Sequence, residues 1–220
     1  MQLDNYYRRS NLVLCIMLCL VPILGLIPLG ASNKSVVNDI ENFQSIWLLF
    51  GLFFTWFYSR PKTLPEGMSN FWKWAVLWWL VLFGRGISWG RVYFRHHNHF
   101  VFHAIAVVLI GSLLVMFFRQ KELRREVRYK LTHNEIPYWT LFLTILGFLG
   151  SDCVEHHRLL SPLLLLRPEN EDFVEEMFEL PMMLGLFLIT FGMMRHDKAA
   201  VASASQAGES LPEYRLATLS

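Results

Sequence analysis

Six long apolar runs alternate with short polar segments along the chain, at residues 11–31, 42–59, 71–90, 100–118, 137–153 and 173–194. A helix needs about 20 mostly apolar residues, with roughly 17 as the lower end, to cross the hydrocarbon core of a bilayer. Each run reaches or approaches that length, and soluble folds do not place six of them in one chain. The pattern therefore predicts an all-α fold, a polytopic membrane bundle of six transmembrane helices within residues 1–198. Five spans plus a re-entrant or interfacial segment is the alternative, because 137–153 is short and "LLSPLLLL" at 159–166 adds an apolar stretch after it. Residues 199–220 are rich in Ala and Ser with no sustained apolar period, so a disordered cytoplasmic tail is expected there.

The first run could be taken for an export signal, since Arg8 and Arg9 precede it and small residues surround its end in "LGASNK". Its length argues otherwise, because the apolar core of a signal is usually about 7–15 residues. An uncleaved first helix is the expectation.

Composition agrees with this reading: 54% of the residues are hydrophobic, 15% aromatic and only 17% charged. The distribution of charge then orients the bundle. With the N-terminus inside, the cytoplasmic segments hold thirteen Lys and Arg against six in the outer segments, with Lys73 at a boundary and left out. Positive charge accumulates on the cytoplasmic side of membrane proteins, so both termini are expected there, in a cell inner membrane. The segment 119–132, which includes "RQKELRREVRYK", reads as a helical extension near anionic lipid headgroups, where each basic residue contributes about 1 kcal/mol of attraction. Cys15 and Cys19 sit inside the first run and Cys153 stands alone, so no disulfide framework or zinc-type spacing is present. Nothing in the pattern calls for a nucleic-acid partner.

The orientation sorts the chemistry-bearing residues. His96, His97, His99, His103, His156 and His157 all fall on the outer side, joined there by Glu41, Asp152, Glu155, Glu175, Glu176 and Glu179 at the ends of runs. His99 and His103 share a helical face, as do Asp152, Glu155 and His156 at i, i+3 and i+4. Nitrogen and oxygen donors from facing helices suit zinc, iron or manganese. His99, His103, Asp152 and His156 are accordingly the candidate ligands of a divalent metal, and Arg85, Glu175 and Glu179 the candidate catalytic residues. Solvated loop histidines, and acidic residues placed at the positive end of a helix dipole, account for much of the same pattern without a site. Glu179 and Arg85 are harder to account for that way, since ionisable groups deep in a bilayer cost about 2.5–3.5 kcal/mol and face a partner or a cavity. Mutual pairing inside the bundle is the expectation for these two.

The segment "GRGISWG" at 84–90 has three glycines, which permit close helix contacts or a backbone break. No GxSxG elbow makes Ser88 a nucleophile, and no phosphate-binding glycine loop is present. Glu41, "RGISWGRVYF" and "FVEEMFEL" together resemble a pattern of uncharacterised bacterial polytopic inner-membrane proteins, which carry an acidic pair before Ser-Trp-Gly. Arg85 and Gly86 stand where that pair would fall. The resemblance implies a bacterial inner-membrane location and no activity.

Two functions of different class remain, and the first is preferred because the repeats and mid-membrane polar groups common in transporters are not clearly present. One is an integral-membrane enzyme using an outer His and carboxylate site, with a divalent metal, on a lipid or lipid-linked substrate. The other is a non-catalytic membrane protein, a small transporter or a partner subunit, whose buried charges fix helix assembly. The lipid bilayer is a partner in both.

Overall fold

Proline places several of the helix boundaries. Its ring disfavours the helical conformation of the residue before it and lacks a donor N–H. The computed structural model describes residues 5–87, 99–133, 137–158 and 160–207, and among these it contains eight α-helices and no strand. They are α1 (Asn5–Leu24), α2 (Asn33–Ser59), α3 (Glu66–Gly86), α4 (His99–Arg119), α5 (Lys121–His133), α6 (Tyr138–Glu155), α7 (Ser161–Leu164) and α8 (Glu171–Ala207). Arg60, directly before Pro61, takes the left-handed conformation with φ 46° and ends α2. Pro65 and Pro137 stand immediately before α3 and α6. Pro22 and Pro181 instead lie inside α1 and α8.

All six predicted runs fall largely on helices of 18 or more residues: α1, α2, α3, α4, α6 and α8. Two helical stretches among the described residues, Phe100–Arg119 and Pro168–Gln206, are long and apolar enough to cross a membrane. The helix α8 runs past residue 198, where the sequence predicts a tail, as far as Ala207. Ala204 is buried and packs near Met68, which gives that extension an apolar anchor.

The chain divides into two compact units, residues 1–48 with 136–189 and residues 49–135 with 190–220. In the first unit, Val21 of α1, Val154 of α6 and Phe173, Val174 and Phe178 of α8 form the core. Small residues let helices approach closely in such packing. A Cβ on Gly150 of α6 would stand 2.6 Å from the Phe178 ring, and one on Gly147 would stand 3.1 Å from the Met182 backbone nitrogen. Polar bonds complete the unit. The buried Asn170 side chain donates to the carbonyls of Gly25 and Ile27, each at 2.8 Å, satisfying polar groups of the turn that follows α1. Thr140 donates to Asn11 Oδ1 at 2.6 Å.

The second unit packs Phe71 and Trp72 of α3, Leu123 of α5 and Met194 of α8 into a core. The ring of Trp79 lies over Gly51 of α2, 2.9 Å from where a Cβ would stand. The helix α4 lies against α3 through a bond from Trp74 Nε1 to the Leu113 carbonyl at 3.1 Å. Most of its other side chains face outward, among them Phe100, Val107, Val108 and Phe118. Contiguous outward apolar surface of this kind marks a face that meets a membrane or another protein.

Candidate functional site

In the first unit, the end of α6 brings three of the expected polar residues together. Asp152, Glu155 and His156 follow one another along one helical face, and His156 Nδ1 lies 3.6 Å from Asp152 Oδ1 and 3.5 Å from Glu155 Oε2. Arg158 folds back and donates its guanidinium to the Asp152 carboxylate. His157 adopts the left-handed conformation, φ 47°, and its Nε2 lies 3.3 Å from Glu171 Oε1 at the start of α8. The His156 and His157 side chains remain 50% and 66% exposed.

The first turns of α8 add Glu175, Glu176 and Glu179, all half-buried. Glu155 and Glu179 are among the charged neighbours of Glu175, and Glu41 and Glu179 among those of Glu176. Gln44 of α2, itself buried, donates to Glu176 Oε2 at 2.7 Å and to the Glu176 carbonyl at 3.1 Å. Sequence reasoning passed over Gln44. Its signal was a polar side chain within the second apolar run, one turn after Glu41 and so on the same helical face.

The expected constellation is therefore assembled in part. Asp152, His156, Glu175 and Glu179 all belong to the first unit, whereas Arg85 and His103 belong to the second. His103 is exposed on α4. The side chain of His99, which opens α4, and residues 88–98 with His96, His97, Ser88 and Trp89 lie outside the described residues. Among the described residues, no three His, Cys, Asp or Glu side chains form a group able to hold a metal ion. The guanidinium of Arg158 gives a physical reason at Asp152, because it already takes up that carboxylate. Arg85 does not meet the expectation of burial: it is exposed in the last turn of α3, where its cation complements the negative end of the helix dipole.

The second unit holds a cluster that includes Glu126 and Lys130, two residues of the segment expected to lie near lipid headgroups. Lys130 of α5 is 1% exposed and extends its ammonium to Asp197 of α8, 2.6 Å from Oδ1 and 2.5 Å from Oδ2. Glu126, one turn earlier on α5 and also buried, lies 3.4 Å from the same ammonium. Trp72 Nε1 of α3 donates to Asp197 Oδ2 at 2.8 Å. The ammonium also lies over the rings of Phe71 and Trp72, 4.8 and 5.4 Å from their centroids, an attractive placement for a cation. Charge pairing, hydrogen bonding and ring contact thus join α3, α5 and α8 at one point. The signal was there in phase: Leu123, Glu126, Val127 and Lys130 fall at i, i+3, i+4 and i+7, which sets both charges on the apolar face of α5.

Among the described residues, these features define an all-helical protein with two stretches long and apolar enough to cross a membrane and buried charge in its second unit. No family model, no curated protein and no solved structure matches the chain.

Proposed function

We propose that this is a non-catalytic polytopic membrane protein of the bacterial inner membrane, a small transporter or partner subunit, whose buried charges fix the assembly of its helices. The observation that carries this reading is the Lys130–Asp197 pair with Trp72 and Glu126 around it. Three helices meet at these charges, and each member has a partner within the protein. On this reading the pair fixes which helices meet, a buried ion pair being by itself weak evidence of added net stability. The test is to remove Lys130 and Asp197 singly and together and to follow unfolding in detergent. Losses that add without coupling would defeat the reading.

Six spans with both termini cytoplasmic is the arrangement that goes with it. It is supported by the six helices of 18 or more residues, by the outward apolar surface of α4 and by the bias of Lys and Arg. Reporter fusions at Asn98 and Ser220 are expected to give an extracytoplasmic signal at the first and a cytoplasmic signal at the second. A cytoplasmic signal at Asn98 would overturn the topology.

One observation favours a second reading, a metal-dependent enzyme acting on a lipid or lipid-linked substrate. The Asp152 and Glu155 oxygens approach His156 Nδ1 to within 3.6 Å, which brings an imidazole and two carboxylates together, although a metal would require Arg158 to release Asp152 and the side chains to rearrange. Here Glu175 and Glu179 would exchange protons with the substrate, and Arg85, His99 and His103 would have to join them. Metal analysis of the detergent-purified protein separates the two readings. The assembly reading expects no stoichiometric zinc, iron or manganese, and the same content after His156→Ala or Asp152→Asn. One equivalent that both substitutions remove would establish the metal reading instead.

A further inference from the structure

The basic residues from the end of α4 through α5 are divided by the fold into two sets with different tasks. A single residue, Gln120, separates the two helices, and the backbone bonds continue across it, from Gln120 N to the Met116 carbonyl at 3.2 Å and from Arg124 N to the Gln120 carbonyl at 3.3 Å. The amphipathic α5 is thereby held close to the end of the apolar α4. Lys130 is turned inward to Asp197. Arg124 folds back onto the last turn of α4, donating to the carbonyls of Phe117 and Phe118. These two cations are taken up by the protein itself. Lys121, Arg125 and Arg128 remain exposed, together with Arg119 at the end of α4.

Lys121, Arg125 and Arg128 lie at i, i+4 and i+7, one above the other on the outward face of α5. Arg125 has an exposed partner, Glu122 at 2.8 Å, which leaves it accessible at 76% exposure. Two large apolar side chains accompany this face: Phe118 in the last turn of α4 and Leu131 within a turn of Arg128, each 67% exposed. A row of cations beside outward apolar groups, adjoining the end of an apolar helix, matches the boundary between headgroups and acyl chains. A single-stranded polynucleotide would use the cations and stack on Phe118 but would leave Leu131 in water.

We infer that Lys121, Arg125 and Arg128 of α5 form a binding face for the headgroups of anionic phospholipids on the cytoplasmic leaflet, whereas Arg124 and Lys130 serve the fold. This rests on the membrane reading given under Proposed function.

The test equilibrates the full-length, detergent-purified protein with equimolar phosphatidylglycerol and phosphatidylcholine of the same acyl chains and quantifies the lipids retained after gel filtration. The unaltered protein is expected to retain phosphatidylglycerol preferentially. Lys121→Gln, Arg125→Gln and Arg128→Gln are expected to lower the preference by about fivefold each, at about 1 kcal/mol per cation. Should the triple variant not fold, salt decides: at about 1 M, where the screening length is about 3 Å, the preference of the unaltered protein is expected to collapse. Equal retention of both lipids, or a preference that survives the triple substitution or the salt, overturns the inference. Retention of a single-stranded RNA without lipid preference overturns it in favour of a polynucleotide. A chain that stays monodisperse without detergent or lipid refutes the membrane reading itself, whatever the lipid ratio.

Discussion

Asp197→Asn and Lys130→Met are each expected to destabilise the protein by about 3–5 kcal/mol, the cost of leaving a buried charge without its counterion. Asparagine keeps an oxygen for Trp72 Nε1, so the change isolates the charge and not the hydrogen bond. With Asp197 neutralised, the Lys130 ammonium keeps Glu126 at 3.4 Å and the faces of Phe71 and Trp72, a weaker setting than two carboxylate oxygens at 2.5 and 2.6 Å. With Lys130 removed, two buried carboxylates remain in one apolar neighbourhood. Combining Lys130→Met, Asp197→Asn and Glu126→Gln removes every charge of the cluster. Its cost should fall short of the summed single costs by about 0.5–3 kcal/mol, the range of coupling between residues in contact. Denaturant unfolding in detergent micelles, followed by tryptophan fluorescence, reads all of these directly because Trp72 belongs to the network. Single variants within about 0.5 kcal/mol of the unaltered protein would show that the charges are not held as described.

Gly185→Ala is expected to cost about 1–3 kcal/mol, the usual range for forcing a methyl group into a filled core. A Cβ at Gly185 would overlap Thr144 Oγ1 and stand 3.0 Å from Thr144 Cβ. Thr144 cannot simply turn aside, because its hydroxyl is buried and donates to the Thr140 carbonyl at 2.7 Å. Combining Gly185→Ala with Thr144→Ala should recover part of the loss, since it removes the overlapping oxygen. The same unfolding measurement checks it. A double variant no more stable than Gly185→Ala alone would place the clash elsewhere.

Much of the fold was legible in the order of side chains. Six apolar runs predicted helices, and α1, α2, α3, α4, α6 and α8 carry them, because a helix closes its backbone hydrogen bonds within the run itself. Pro61, Pro65 and Pro137 stand at helix boundaries, a signal of covalent geometry that the apolar runs by themselves did not use. The spacing of Asp152, Glu155 and His156 predicted a shared face, and the three do meet, because a relation inside one helix depends only on 3.6 residues per turn.

Relations between helices were of another kind. The sequence showed Lys130 as one more cation of a basic segment, and only packing revealed that Asp197, 67 residues away, holds it inside. In the first unit the tightest approaches are at Gly150 and Gly185, two glycines that no local motif in the sequence set apart. Periodicity states which residues share a face but not which other helix that face will meet. Arg158 makes the same point at the candidate site: six residues from Asp152, it takes up the carboxylate that spacing had reserved for a metal. The sequence by itself thus determined the helices, their faces and the bias of charge. The tertiary structure decided which charges are buried and which carboxylates are engaged, because those outcomes depend on distances across the fold that no local pattern contains.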